Sequence, residues 1–145
     1  MTAPLPLSGL RVLVVEDVPE QALAITSTLR REGGASPALE ASASMAQKRL
    51  LDQSKPAFNL AIIDHQLCGD MDGTRFATWL RDEAPKLRPD LDQIVRISYS
   101  TEDRETILAE APDPDIFHAI LNKAIHPVDQ IVSELSHVLA AHPIE

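Results

Sequence analysis

The feature that most constrains the fold of this chain is a series of short apolar runs separated by stretches with helical periodicity. The runs at 12–15 and 60–63 are continuous rather than alternating, which is typical of strands covered on both faces of a parallel sheet. The runs at 94–97 and 116–121 predict two more strands, and 36–40 predicts a weaker one. The sequence therefore predicts five short strands.

Helical patterns occupy the gaps between these runs. Pro19 suits the first turn of a helix that extends to about residue 32. Four further helices are predicted: over 44–53, from Asp72-Gly73, from the capping residues 101–103, and from Pro127. This order predicts an α/β fold, a five-stranded parallel sheet that is doubly wound with five helices.

Length and composition limit the class of protein. The 145 residues suit one domain, expected at 9–142 after a flexible tail over 1–8. The net charge of −9 argues against a nucleic acid or an anionic membrane as partner. A single cysteine, Cys68, forms no internal disulfide, and no apolar run reaches the length of a membrane span. We expect a soluble, cytoplasmic protein. The segments 84–92 and 111–115 are expected to be mobile loops.

Chemically active side chains follow the predicted strands. Glu16 and Asp17 follow the first strand, Asp64 the third, Ser98 the fourth and Lys123 the fifth. Because ligands bind beyond the carboxyl ends of strands in open parallel sheets, one edge is predicted to collect these groups. Each residue alone has an ordinary explanation, such as a helix cap or a surface charge. Their coincidence at one edge favours a functional site.

Three neighbouring carboxylates repel one another, so a positive charge is expected between them. Mg²⁺ takes oxygen ligands and commonly binds carboxylates together with a phosphate, and Mn²⁺ is expected to substitute for it. Lys123 supplies a second positive charge. A carboxylate that faces Mg²⁺, an ammonium and a hydroxyl suits a phosphoryl acceptor, because that reaction depends on positioning and charge neutralisation.

At these positions the chain resembles the receiver domain of bacterial two-component response regulators, over essentially its whole length. Residues 13–17 match the acidic pair of that family, and 61–64 match the strand that carries the phosphoacceptor. Residues 71–73 resemble the turn before the third helix, Ser98 the switch hydroxyl, and Lys123 the family lysine. The resemblance implies a flavodoxin-like fold with five parallel strands and five helices.

The resemblance also implies a role for each site residue. Asp64 would accept a phosphoryl group from a phosphohistidine on a sensor histidine kinase or a histidine phosphotransfer protein. Asp17, Asp64 and the backbone carbonyl of Gln66 would hold Mg²⁺, and Glu16 would act through a metal-bound water. Lys123 would pair with Asp64 and then with a phosphoryl oxygen.

Ser98 would then move to bond another phosphoryl oxygen. That movement would repack the face formed by the fourth predicted helix, the fifth strand and the fifth helix, where a homodimer or an effector is expected to bind.

The sequence departs from the family pattern at four positions. Gly73 lies nine residues after Asp64, where the family has eight, so the intervening turn carries an extra residue. Ile120 occupies the position of the usual aromatic switch, Tyr99 replaces a small residue, and Ala124 replaces a proline. Catalytic groups are retained, but the last three departures alter the usual output switch, for which the candidate residues here are Ser98, Tyr99 and Ile120.

Several interpretations stay open from the sequence alone. Tyr99 either gates or crowds the site, or is a surface tyrosine in a loop. His65 either modulates entry to the site or, as we favour, is a neighbouring loop side chain. The alternative function is a divergent receiver that acts as a phosphorylation-independent interaction module. A phosphatase of the haloacid-dehalogenase type is disfavoured because Gln66 stands where a second aspartate is required. Beyond self-phosphorylation and slow self-dephosphorylation, no enzyme activity is expected.

Overall fold

The fold is built on one parallel sheet. The computed structural model describes residues 4–67, 69 and 71–142. Within these residues five strands pair in the order β2-β1-β3-β4-β5. The strands are β1 (Arg11–Val15), β2 (Ser36–Glu40), β3 (Leu60–Ile63), β4 (Val95–Ser100) and β5 (Ala119–Asn122). β2 lies on one side of β1, and β3, β4 and β5 follow on the other side. The direction of the connections reverses between β1 and β3, so the crevice beside these two strands is the topological switch point.

Helices cover both faces of the sheet, so the predicted doubly wound parallel fold is confirmed. The described residues contain α1 (Pro19–Thr28), α2 (Ala43–Leu51), α3 (Gly73–Asp82), α4 (Ala84–Leu87), α5 (Arg104–Glu110) and α6 (Ile131–Ala141). Apolar residues of α1 and α6 pack on one face, and those of α2 to α5 pack on the other. Among these helices none is both long enough and apolar enough to cross a bilayer.

The two strands that lead to the predicted hydroxyl and lysine differ from their predicted bounds. β4 begins one residue late and extends to Ser100, and β5 begins at Ala119 rather than at Ile116. β4 lies between two neighbours, and the N–H of Lys123 donates to the Ser100 carbonyl at 2.8 Å. Backbone pairing on both sides therefore extends the strand through polar residues that end the apolar run.

The prediction of a loop over 84–92 is wrong, because this segment contains α4 and a 3₁₀ turn at Pro89–Gln93. Arg88 is buried there, and its guanidinium group donates to three backbone carbonyls across the domain. These belong to Leu50 at 3.0 Å, Asp52 at 2.9 Å and Lys55 at 2.7 Å. The prolines stand in first turns of helices, where the missing N–H has no cost.

The prediction of a flexible tail over 1–8 fails at Leu7. The side chain of Leu7 is fully buried, and its N–H donates to the carbonyl of Gly33 at 2.8 Å. The apolar core therefore begins before residue 9. Residues 1–3 lie outside the described residues, as do Cys68 and Asp70 in the turn that carries the extra residue.

The start of α3 is tied directly to the backbone after β3. The Asp72 carboxylate accepts a hydrogen bond from the N–H of Arg75 at 2.8 Å, which caps the helix. The N–H of Gly73 donates to the carbonyl of His65 at 2.9 Å. A Cβ atom at Gly73 would lie 2.2 Å from the carbonyl oxygen of Asp64, so only glycine fits there.

We therefore expect Gly73→Ala to lower the free energy of unfolding by about 1–3 kcal/mol, because the new methyl group must displace the backbone of Asp64. Arg75→Ala, at an exposed position of the same helix, is the matched control and should change stability by less than about 0.5 kcal/mol. Urea unfolding curves of both variants measure this difference. Equal stability of Gly73→Ala and the wild type would contradict the close approach.

Candidate functional site

Three carboxylates meet at the carboxyl edge of β1 and β3. Glu16 and Asp17 follow β1 and Asp64 follows β3, and one ligand oxygen from each lies within 4.8 Å of the others. The backbone ladder continues past both strand ends: the N–H of Asp64 donates to the Val15 carbonyl at 3.0 Å, and the N–H of Glu16 donates to the Glu40 carbonyl at 3.1 Å. The sheet therefore fixes the backbone of Glu16 and Asp64 at the edge where the acids were predicted to gather.

Lys123 brings one positive charge to these acids from the end of β5. Its ammonium group contacts the carboxylate of Glu16 and the side-chain carbonyl of Gln21, and Nζ lies 3.7 Å from Oδ2 of Asp64. The predicted pairing with Asp64 is thus present, but Glu16 is the closer partner.

Burial makes the charge of Asp64 costly. The side chain is 9% exposed, and this burial raises the pKa of Asp64 to about 7, with a further rise from its hydrogen bond to Glu16. Lys123 and the backbone N–H of Gln66 act in the opposite direction but are outweighed. A single ammonium group therefore does not balance the acidic cluster.

The oxygen atoms of this cluster fit a hard divalent cation. A cavity of about 180 Å³ opens beside the acids. It is lined by Asp17, Val18, Gln21, Asp64, Gln66, Thr101 and Lys123. Mg²⁺ and Mn²⁺ take carboxylate and carbonyl oxygens in preference to softer ligands, so the donor set suits them. Gln66 lies on the cavity wall, with its side-chain amide donating to Glu102 at 2.5 Å, and the use of its carbonyl as a ligand stays a prediction.

The sequence predicted that Ser98 follows the fourth strand, but Ser98 lies inside β4. It pairs in register with Ile63 and Ile120, is fully buried, and its hydroxyl has no hydrogen-bond partner among the described residues. Thr101, the first residue after β4, lines the acidic cavity instead. The segment 98–101 contains three aliphatic hydroxyls, on Ser98, Ser100 and Thr101, so the end of the strand must be known before the hydroxyl that lines the cavity can be identified.

Tyr99 is a core residue, so its interpretation as a surface tyrosine is wrong. The side chain is 2% exposed, and its hydroxyl donates to the carbonyl of His126 at 2.6 Å. Burial raises the pKa of Tyr99 to about 12, with a contribution from Asp129. Its ring packs with the core beneath α1 and α6, whereas Ile120 packs on the opposite face. Tyr99 therefore does not replace an aromatic residue at Ile120, and its gating of the site stays a prediction.

His65 is a structural connection that sequence reasoning missed. The ring is buried and bridges two helices: Nδ1 lies 3.2 Å from the Thr74 hydroxyl on α3, and Nε2 lies 2.7 Å from Glu110 on α5. His65, Asp72 and Glu110 also have ligand atoms within 4.8 Å of one another. The partners of His65 are distant in sequence, so no local pattern could have indicated them.

Comparison with known proteins identifies the fold. No protein-family model matches the chain. No curated protein matches it either. Among solved structures, a response regulator receiver protein from Sinorhizobium medicae WSM419 superposes with a TM-score of 0.68 and 22% identity, over 92% of this chain and 96% of that one.

Two further solved structures are similar over most of their length. The phosphorylated cyanobacterial phytochrome response regulator RcpA gives a TM-score of 0.68 at 16% identity, with 91% of this chain and 92% of that chain covered. The Mn²⁺-bound form of response regulator Rcp1 gives a TM-score of 0.64 at 17% identity, with 90% of this chain and 91% of that chain covered. The chain thus has the flavodoxin-like fold of response-regulator receiver domains.

Proposed function

We propose that this chain is a phosphorelay receiver that takes a phosphoryl group onto Asp64. The observation that carries the proposal is the meeting of Glu16, Asp17 and Asp64 with Lys123 at the switch point of the sheet. The receiver fold supports it, since such domains take part in phosphorelay signalling. The donor would be a phosphohistidine on a sensor histidine kinase or on a histidine phosphotransfer protein.

In the proposed transfer, a carboxylate oxygen of Asp64 attacks the phosphorus atom of the donor. A P–O bond forms as the P–N bond breaks, and the electron pair of that bond stays on the imidazole nitrogen. Asp64 must be ionised to attack, and Lys123 and the Gln66 N–H both favour the ionised form. Lys123 is also close enough to follow the added charge, because Nζ already lies 3.7 Å from Asp64.

Asp17 and Asp64 would bind the divalent cation directly, and Glu16, whose carboxylate also contacts Lys123, would act through a water. When bound, Mg²⁺ or Mn²⁺ supplies positive charge that offsets the carboxylates and the phosphoryl oxygens. Thr101, rather than the buried Ser98, is the hydroxyl that we propose for bonding a phosphoryl oxygen, because it lines the cavity.

The same geometry suggests how the signal would leave the site. The side-chain amide of Gln66 donates a hydrogen bond to the carboxylate of Glu102, which lies in the β4–α5 connection. The backbone carbonyl of Glu102 in turn accepts a hydrogen bond from the Asn122 side chain at 3.2 Å. His65 contacts Glu110 on α5. We therefore propose that phosphorylation shifts α5 relative to β5 and α6, and that a second copy or an effector binds this face.

The donor has an approach beside Lys123. A mostly apolar cavity of about 280 Å³ adjoins the acidic one between α1 and the β5–α6 connection. It is lined by Gln21, Ala24, Ile25, Tyr99, Thr101, Lys123, Pro127 and Val128. Apolar side chains next to the acceptor suit the docking of a protein donor.

The test uses the small phosphodonor phosphoramidate and intact-mass spectrometry. We expect the wild type to gain one phosphoryl group when Mg²⁺ or Mn²⁺ is present and none in EDTA. Asp64→Asn should gain none under either condition, because the nucleophile is lost. Asp92→Asn, an exposed acid away from the site, is the matched control and should react like the wild type.

The outcomes separate the alternatives. Lack of any phosphoryl gain in the wild type with metal would favour the phosphorylation-independent interaction module. Multiple turnover of an external phosphate ester would instead indicate an enzyme. That result would contradict our proposal that each chain accepts one phosphoryl group on Asp64.

A second test distinguishes the two candidate hydroxyls. Thr101→Ala is expected to lower the rate of phosphorylation by phosphoramidate about tenfold, the usual worth of one hydrogen bond to a charged group. Ser98→Ala should leave that rate within about twofold and should not lower stability, because the Ser98 hydroxyl is buried without a partner. Stopped-flow kinetics measures both rates. A larger effect of Ser98→Ala than of Thr101→Ala would reverse the assignment.

A further inference from the structure

A cationic cavity lies away from the acidic site. It has a volume of about 350 Å³ and is formed by α2, the α2–β3 connection, and residues of β1 and β2. It is lined by Arg11, Glu40, Met45, Lys48, Arg49, Asp52, Lys55 and Phe58. None of these residues lines the acidic cavity, so the two sites are separate. We propose that this cavity binds a small organic phosphate monoester.

The charge of the lining points to a dianion. Four basic and two acidic side chains give a local charge of +2, whereas the whole chain carries −9. Glu40 is already paired with Arg49 at 2.6 Å. The other three basic residues form no ion pair within the part of the chain that the structure describes. These are Arg11, Lys48 and Lys55.

Arg11 contacts an aromatic ring rather than a carboxylate. The central carbon of its guanidinium group lies 4.7 Å from the centroid of the Phe58 ring, and Phe58 is buried. Its Nε is also buried and has no hydrogen-bond partner among the described residues. The Phe58 ring therefore helps to position the guanidinium group, and no acidic side chain among the described residues forms an ion pair with it.

A phosphate monoester matches these features. It carries a charge of about −1.5 to −2 at pH 7, which complements the +2 of the cavity. A fixed guanidinium group binds phosphate oxygens with two parallel hydrogen bonds, and the flexible lysines add charge. The volume of about 350 Å³ is at the lower end for small-molecule sites, and Met45 and Phe58 offer apolar contact to the organic part.

The experiment titrates ¹⁵N-labelled protein with glycerol 1-phosphate in EDTA and follows the amide signals by NMR. Without a divalent cation the acidic cavity repels the probe, so binding reports on the cationic one. We expect saturable shifts at Arg11, Lys55 and Phe58. Uncharged glycerol should produce none.

The deciding variant is Lys48→Gln/Lys55→Gln, which keeps the fold because both side chains are exposed. It should weaken binding at least about tenfold, since each lysine makes a charge-assisted contact. The control, Arg31→Gln/Lys86→Gln, removes two exposed cations elsewhere and should change the affinity less than twofold. Arg11→Gln should weaken binding as strongly as the deciding variant.

Three results would overturn the proposal: shifts that do not saturate, shifts that occur mainly outside the cavity, or equal weakening by the control variant. Tighter binding of an acidic peptide than of glycerol 1-phosphate would also overturn it, in favour of a protein partner. None of these results bears on phosphorylation of Asp64, which is measured separately.

Discussion

The ammonium group of Lys123 contacts the carboxylate of Glu16 and lies 3.7 Å from that of Asp64, and the candidate site depends on this arrangement. Its three participants come from the ends of β1, β3 and β5, so they meet only if the parallel sheet has the observed order and register. The N–H of Lys123 is itself bonded to the end of β4. Packing of apolar strands thus brings together charges that would otherwise repel or remain dispersed.

The arrangement leaves the acidic cluster short of positive charge. Burial raises the pKa of Asp64 to about 7, even with Lys123 nearby. In the proposed function, a divalent cation would offset the charge of the acids and a phosphoryl group on Asp64 would engage Lys123. Gln66 and His65 directly follow Asp64. The hydrogen bond from Gln66 to Glu102 links this segment to the β4–α5 connection, and the contact between His65 and Glu110 links it to α5 itself. These contacts are the basis for our proposal that phosphorylation of Asp64 shifts α5.

The sequence predicted those parts of the molecule that local pattern determines. Continuous apolar runs located β1 and β3, and the acids after them, because a strand covered on both faces requires apolar side chains throughout. Ser98 was misplaced because pairing on both sides extends β4 through polar residues that a hydropathy pattern treats as its end. The segment around Arg88 and the connection through His65 depend on partners far along the chain, which periodicity does not reveal.

The central claim is that these acids form a divalent-cation site beside Lys123, and anomalous diffraction from crystals soaked in MnCl₂ tests it most directly. The account predicts one strong peak bounded by the carboxylates of Glu16, Asp17 and Asp64. An absence of density there at saturating Mn²⁺ would contradict the account. So would a peak found only at the separate group of His65, Asp72 and Glu110.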